Sequence, residues 1–188
     1  MGEIKFIAIS GSPRINGNTD YLVKVFADHC RKLSANVEVI RLYDYDIKPC
    51  ISCRLCLEDG KCRIKDDMCK IYPKILSCNG ILLASPVYFN NVSAQMKAFM
   101  DRTWCLRGKL KWKIGGGIVV GRRYGHELAL NAIHSFFLKH EIIIAYRGVV
   151  AFAYEKGEII NDKHAINCTK YLAEVMFKLA EKLYTNNS

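Results

Sequence analysis

The stretch KFIAISGSPRINGNT, residues 5–19, decides the fold of this chain. Its first six residues form an apolar run that predicts a buried β-strand, and the glycine-containing loop behind them leads into a segment of helical periodicity. A helix that begins after such a loop presents free backbone N–H groups and a positive dipole end to an anion. The stretch therefore predicts an α/β protein with a phosphate-bearing ligand beyond its first strand.

Side chains that suit a phosphate are concentrated in this loop. Ser12, Asn18 and Thr19 supply donors, and Arg14 can hold a phosphate through two parallel bonds. Neither a Gly-Lys-Ser/Thr sequence nor a GxGxxG sequence is present, which excludes a P-loop and the dinucleotide fingerprint. A single terminal phosphate, such as that of FMN, is the simplest occupant, and a merely polar turn ahead of a helix is the alternative.

Strand and helix periodicity alternate along the rest of the chain. Strands are predicted at 37–42, 80–85, 114–120 and 141–154, and helices at 19–33, 66–77, 92–104, 127–138 and from 161 or 162 to about 184. Alternation of this kind predicts a parallel sheet covered on both faces. Five strands with a phosphate loop after the first predict a single flavodoxin-like, doubly wound domain over residues 1–188, with strand order 2-1-3-4-5.

Two further loops are predicted to reach the same edge of the sheet. Ligands of doubly wound sheets lie beyond the carboxyl ends of the strands, at the switch point. Segment 85–91 brings aromatic and amide side chains to that edge, and segment 121–127 brings Arg122 and Arg123. A cation there would stabilise an anionic reduced flavin ring. The alternatives are that the aromatic rings only pack and that the arginines only face solvent.

A cysteine-rich loop follows the second strand, over residues 43–65. It contains four cysteines, in the pattern Cys50-x2-Cys53-x2-Cys56-x5-Cys62. Bacterial-type iron–sulfur ligation uses the same two-residue gaps, so the run predicts a [4Fe–4S] cluster. Zinc, which four thiolates also hold, and a redox dithiol are the alternatives. Cys69 could replace Cys62 as the fourth ligand.

Composition limits the class of protein. A chain of 188 residues that is 51% hydrophobic fits one domain with its own core. No signal-peptide cleavage pattern follows the first strand and no apolar run approaches the length of a membrane span, so we expect a soluble cytoplasmic protein. In such a reducing compartment, nine cysteines indicate metal binding or reactivity and not disulfides. The net charge of +10 suits an anionic redox partner or phosphate-bearing cofactors, and no nucleic-acid module accompanies it.

The segments GSPRINGNT at 11–19 and SPVYFNNVSAQMKAFMDR at 85–102 resemble the NADPH-dependent FMN reductase group of flavodoxin-like proteins. Together with the cysteine run, they resemble the iron–sulfur flavoproteins of anaerobes. The resemblance implies that the FMN phosphate region is bound by Ser10, Ser12, Arg14, Asn18 and Thr19. It implies that the ribityl chain and ring are flanked by Pro86, Val87, Tyr88, Phe89 and Asn90. It further implies that one [4Fe–4S] cluster is ligated by Cys50, Cys53, Cys56 and Cys62.

The resemblance also implies a homodimer or homotetramer in which each cluster faces a neighbouring subunit's flavin. We therefore expect a redox protein that takes electrons from a one-electron donor such as ferredoxin and passes them through the cluster and FMN to an acceptor. One alternative is an NAD(P)H-dependent reductase of quinones, nitro compounds or free flavin, in which the cysteine loop is structural or binds zinc. The other is a flavin- or metal-bearing sensor.

Overall fold

The computed structural model describes residues 3–184. Its strands are β1 (Lys5–Ser10), β2 (Asn36–Arg41), β3 (Gly80–Pro86), β4 (Ile114–Gly121), β5 (Ile143–Ile144) and β6 (Val149–Phe152). Its α-helices are α1 (Asn18–Lys32), α2 (Cys56–Asp59), α3 (Met68–Ser77), α4 (Ala94–Arg102), α5 (His126–Lys139) and α6 (Lys163–Tyr184). Three short 3-10 turns cover Leu42–Asp44, Thr103–Leu106 and Glu158–Asn161.

All strand pairs are parallel, and the sheet order is β2-β1-β3-β4-β5, with β6 also paired to β4. This confirms the predicted flavodoxin-like order 2-1-3-4-5. The predicted last strand is divided in two, because residues 145–148 stand opposite only two residues of β4, namely 116 and 117. Gly148 in this break has a φ of 97°, and a Cβ there would lie 2.6 Å from Leu130.

Side-chain burial explains why the central strands read as continuous apolar runs. Every residue of β4 is buried, and so is every residue of β3 except Pro86. Helices α1 and α6 cover one face of the sheet, where Phe26 and Met176 are fully buried. Helices α3, α4 and α5 cover the other face, where Phe99 is fully buried. Gly116 in β4 allows α6 to approach closely, since a Cβ there would lie 2.6 Å from the Met176 sulfur.

Several predicted boundaries needed correction. The third helix begins at Met68, not at 66, and α4 ends at Arg102, after which the chain continues as a 3-10 turn. The 43–65 segment, read as irregular, contains the short helix α2. Among residues 3–184, no helix combines the length and the apolar character that crossing a membrane requires.

Candidate functional site

Loops that follow β1 and β3 are joined at the carboxyl edge of the sheet through Ser93, the N-cap residue of α4. The Ser93 hydroxyl donates to the Gly11 carbonyl over 2.6 Å and accepts the Met96 N–H over 3.2 Å, which caps α4. The Ser93 N–H donates to the Ser85 hydroxyl over 2.9 Å. The two segments predicted to share one ligand are therefore adjacent, as their positions after β1 and β3 require.

Ser10 and Ser12 shape the loop after β1 from within. The Ser10 hydroxyl donates to Asp20 over 2.6 Å and accepts the Ser12 N–H over 3.3 Å. The Ser12 hydroxyl accepts the Arg14 N–H over 3.2 Å. Asp20 lies 3.5 Å from the Arg41 guanidinium, so its charge is offset beside the loop. Both serine hydroxyls therefore form hydrogen bonds to groups of the loop and of α1.

Asn18 and Arg14 bind the turn after β6. The Asn18 amide donates to the Glu155 carbonyl over 2.8 Å, and its oxygen accepts the Gly157 N–H over 2.9 Å. Arg14 donates to the Tyr154 carbonyl over 3.2 Å and is otherwise exposed, so most of its five donors stay available. The sequence predicts that both residues bind a phosphate; the contacts that the structure gives them hold the 154–157 turn against the loop.

The start of α1 fits a phosphate. The first N–H groups of a helix have no intrahelical partner, and the N-cap residue here is Gly17, which offers no side-chain acceptor to them. Thr19 lies in the same first turn and is almost completely buried. An external anion can therefore bind free N–H groups at the positive end of the helix, as the sequence predicts.

The segment after β3 forms a tight turn at the same edge. Tyr88 and Asn91 exchange two backbone hydrogen bonds of 2.9 and 3.0 Å, and Phe89 and Asn90 between them have φ values of 47° and 60°. Tyr88, Phe89 and Asn90 are exposed, whereas Pro86 and Val87 are half-buried. The predicted ring-side residues thus present their polar and aromatic groups to solvent.

Arg122 and Arg123 follow β4, as predicted, but differ in their contacts. The Arg122 guanidinium lies over the Tyr154 ring, 4.6 Å from its centre, and both arginines are exposed. Gly125 brings this loop against the turn after β3, because a Cβ on Gly125 would lie 2.5 Å from the Asn90 Cα. The loops after β1, β3, β4 and β6 therefore form one continuous rim.

The four cysteines of the 50–62 run border a single cavity of about 790 Å³. Residues of α4 and α5 complete its walls, among them Met100 and Phe136. The Ser52 N–H donates to the Cys50 sulfur over 3.5 Å, and Ser52 has a left-handed φ of 53°. Cys62 borders this cavity, whereas Cys69 lies on α3 and is exposed.

A metal ion or cluster fits this segment by donor chemistry. All nine cysteines lie within the described residues, and all are free thiols. Four thiols bordering one cavity are the donor set that soft metals and iron–sulfur clusters take. In residues 3–184, however, no three Cys, His, Asp or Glu side chains are gathered as a metal ion needs. The four-cysteine site therefore stays a prediction.

Arg102 at the end of α4 holds both ends of the cysteine segment. Its guanidinium donates to the Lys48 carbonyl over 2.7 Å and to the Ile64 carbonyl over 3.5 Å, and it pairs in two bonds with Asp66. Both side chains of the pair are fully excluded from solvent. Burial alone would raise the pKa of Asp66, but hydrogen bonds from Arg102, Lys48 and Met68 outweigh it and hold that pKa below its ordinary value.

Sequence reasoning missed Ser93 and the Arg102–Asp66 pair. Ser93 carried a local signal, because a serine directly before an apolar-periodic segment is a preferred N-cap. The pairing of Arg102 with Asp66 had no local sequence signal, because the two residues are 36 positions apart and each is adjacent to another charged residue. The main partner of Asp66 is Arg102.

Comparison with known proteins agrees with this arrangement. The sequence profile of the NADPH-dependent FMN reductase family matches residues 4–157. A protein of Methanocaldococcus jannaschii named iron-sulfur flavoprotein is 41% identical, over 95% of this chain and 100% of its own. A putative NAD(P)H-dependent FMN-containing oxidoreductase of Bacillus subtilis is 31% identical, over 90% of this chain and 96% of its own.

Among solved structures, RosB with a bound 8-demethyl-8-formylriboflavin-5′-phosphate superposes with a TM-score of 0.80. It is 15% identical and aligned over 98% of this chain and 82% of its own, so this likeness concerns the fold. Strand order, family profile and full-length similarity lead to the same assignment. The chain belongs to the NADPH-dependent FMN reductase family and, within it, to the iron–sulfur flavoproteins.

Proposed function

We propose that this chain is a redox flavoprotein that transfers electrons between a one-electron donor such as a ferredoxin and an acceptor. It would do so with FMN and with a [4Fe–4S] cluster held by Cys50, Cys53, Cys56 and Cys62. The observation that carries the proposal is that all four thiols border one cavity also lined by α4, the helix whose first turn is tied to the flavin-side loops. The two cofactors together would supply one-electron and two-electron redox chemistry.

The chain's own residues would bind and orient FMN at the rim. The free N–H groups at the start of α1 and the Thr19 hydroxyl would hold the phosphate, and the remaining donors of Arg14 would reach it from outside. Tyr88 and Asn90 would flank the ribityl chain and the ring. Arg122, which lies over Tyr154, would place a cation beside the flavin ring.

Cysteine chemistry and spacing favour a cluster over zinc in the second site. Three cysteines at two-residue gaps with a nearby fourth follow iron–sulfur ligation, whereas zinc sites more often use two separated pairs. The Ser52 N–H donates a hydrogen bond to the Cys50 sulfur. Hydrogen bonds to ligand sulfurs are one way in which proteins tune the reduction potential of a cluster. Free thiols also agree with a reducing compartment, and we place the protein in the cytoplasm.

A cationic surface surrounds the proposed cluster and suits an acidic electron donor. Arg54, Lys61 and Lys65 are exposed and outnumber the exposed acids Glu58 and Asp59, of which Asp59 pairs with Arg63. A surface of one sign steers a partner of the opposite sign and raises its association rate at low salt. We propose a small acidic one-electron carrier, such as a ferredoxin, as the partner, and a homodimer or homotetramer as the working assembly.

Metal and flavin analysis of protein purified without air tests the proposal. About four irons and matching acid-labile sulfide per chain, together with one FMN, are the expected result for the proposed cofactors. Zinc without iron, or iron without flavin, would contradict it. The measurement is elemental analysis with a sulfide assay, followed by EPR spectra before and after reduction.

An NAD(P)H-dependent reductase is the second candidate. The family profile and the Bacillus subtilis relative both bear names that include a nicotinamide donor, which favours this activity. Anoxic stopped-flow mixing with NADPH or NADH distinguishes the candidates. Flavin bleaching within seconds by either nucleotide would support the reductase, whereas bleaching only by a reduced one-electron carrier would support electron transfer through the cysteine site.

A further inference from the structure

Arg102 lies at the point where α4 meets both ends of the cysteine segment. We infer that Arg102 is a positioning residue for the proposed metal centre, that it holds the ligand segment closed, and that it sets the centre's reduction potential together with Asp66. This inference rests on the proposed function, because it assumes that Cys50, Cys53, Cys56 and Cys62 bind the centre.

The first part of the inference comes from hydrogen bonds at both ends of the segment. Nη1 of Arg102 donates to the Lys48 carbonyl, before the first cysteine, and Nη2 donates to the Ile64 carbonyl, after the last. Asp66 accepts the Lys48 N–H over 2.9 Å and the Met68 N–H over 3.1 Å. One buried ion pair therefore fixes where the ligand segment leaves and rejoins the fold.

The second part comes from a hydrogen-bond donor that has no acceptor within the described residues. The Nε atom of Arg102 is buried there without a partner, although buried N–H groups are nearly always paired. Arg102 and Cys62, one of the predicted ligands, line the same cavity. A thiolate or a cluster sulfide on the cysteine side would provide the missing acceptor, and a guanidinium N–H can donate to either.

The third part concerns charge. Hydrogen bonds to the sulfurs and the local net charge are among the variables by which a protein sets the potential of an iron–sulfur centre. Arg102 and Asp66 are fully excluded from solvent, so water screens their charges poorly. Removing the guanidinium should stabilise the oxidised centre and lower its potential, and removing the carboxylate charge should raise it. A purely structural pair would not produce shifts of opposite sign.

Arg107 offers a matched control. It also donates from its guanidinium to a carbonyl of the segment, that of Leu57, over 3.3 Å, but it does so from an exposed position. Exposed charges are screened by solvent, and exposed ion contacts contribute little. The variants are therefore R102Q, D66N and R107Q, each purified without air and assayed for iron, sulfide and flavin before any activity is measured.

Two measurements test the inference: a redox titration followed by EPR, and the rate of iron loss to a chelator. We expect a lower midpoint potential and iron loss at least tenfold faster for R102Q, a higher potential for D66N, and values near wild type for R107Q, with flavin content unchanged in all three. Equal shifts in R102Q and R107Q, or shifts of the same sign in R102Q and D66N, would overturn it.

Should R102Q fail to fold, as its circular dichroism would reveal, R102K and D66N carry the test. R102K keeps the charge but loses the planar fork, so we expect faster iron loss at a nearly unchanged potential. Slow iron loss in R102K together with no rise in potential in D66N would refute the inference. If wild-type protein itself holds zinc or no metal, the proposed function fails, which is a different outcome from iron-loaded variants that do not differ.

Discussion

The hydroxyl of Ser93 donates to the carbonyl of Gly11 over 2.6 Å, so the first turn of α4 and the loop after β1 are held together by one side chain. The same oxygen accepts the Met96 N–H and caps the helix. Gly11 has no room for a side chain at this contact, since a Cβ would lie 2.8 Å from the Met96 Cβ. The absence of a side chain at Gly11 therefore allows α4 to pack closely against the loop after β1.

Replacing Ser93 with alanine tests this contact. S93A loses the N-cap and leaves the buried Gly11 carbonyl unpaired, so we expect the free energy of unfolding to fall by about 2 kcal/mol. Urea denaturation followed by circular dichroism measures the change. S77A is the control, because Ser77 donates to a carbonyl from an exposed position at the end of α3. Equal losses in the two variants would contradict the proposed role of Ser93.

Thr19 and Asn18 are predicted to differ in what their replacement changes. T19V keeps the shape of the residue and removes a hydroxyl from the first turn of α1. We expect its affinity for FMN to fall about tenfold, because a hydrogen bond to a charged phosphate contributes roughly 1.5 kcal/mol, with no change in its affinity for riboflavin. Fluorescence titration of the apoprotein with both flavins measures this. Equal weakening toward both flavins would rule out a phosphate contact.

N18A should act mainly on stability. The Asn18 amide makes two hydrogen bonds to the turn after β6, and the loss of both should lower the free energy of unfolding by about 1–3 kcal/mol. Thermal unfolding of N18A and T19V side by side gives the comparison. If N18A were as stable as wild type and selectively lost FMN, the sequence-based assignment of Asn18 to the phosphate alone would be correct.

Local pattern was enough to predict much of this molecule. The apolar runs that became β1, β3 and β4 were identifiable because parallel strands covered on both faces have no polar alternation. Strand order followed from the phosphate loop after β1, since that loop defines the switch point. The break between β5 and β6 was harder to place, because it depends on Gly148 packing against Leu130, which lies in another element.

Long-range pairing explains what the sequence could not reveal about the site. Donors in the loop after β1 were recognisable as residue types, but their partners, such as Asp20 for Ser10 and Glu155 for Asn18, depend on the folded geometry. The Arg102–Asp66 pair is the extreme case, since neither charge stands out in a chain with 28 Lys and Arg residues.

Phe89 provides a prediction about backbone conformation. It has a left-handed φ of 47° and a fully exposed ring, in a turn where both central residues have positive φ. A non-glycine residue in this conformation costs roughly 1–2 kcal/mol, so F89G should raise the free energy of unfolding by about 1 kcal/mol. F89A removes the ring without relieving the backbone and is the control. A less stable F89G in urea denaturation would instead indicate that the ring is covered in the assembled protein.

His140 provides a prediction about pH. The Thr103 hydroxyl donates its only proton to the Met100 carbonyl, so the Nε2–H of His140 donates to the Thr103 oxygen, 2.9 Å away. The other ring nitrogen is buried without a partner in the described part of the chain, and burial lowers the pKa of His140 below 6.5. Burial also lowers the pKa of His134, although Glu127 opposes the shift.

The sign of the pH dependence follows from these lowered values. Well above pH 6.5 both histidines are neutral in the folded and the unfolded chain, so they do not change the free energy of unfolding there. Below pH 6.5 the unfolded chain takes up protons first, so the free energy of unfolding falls with pH, by up to about 1.4 kcal/mol per pH unit for each histidine, until the folded pKa is passed. Asp66, with its lowered pKa, stabilises the fold above pH 3.8 and loses that contribution only at lower pH.

Urea unfolding at pH 7.5, 6.5 and 5.5 measures this dependence. H140N should reduce the loss between pH 6.5 and 5.5 without abolishing it, since His134 remains. T103V removes the hydrogen-bond partner without removing the titrating ring, so it should be less stable at every pH but keep the wild-type slope. An unchanged slope in H140N would mean that the ring of His140 is protonated as readily in the folded chain as in the unfolded one.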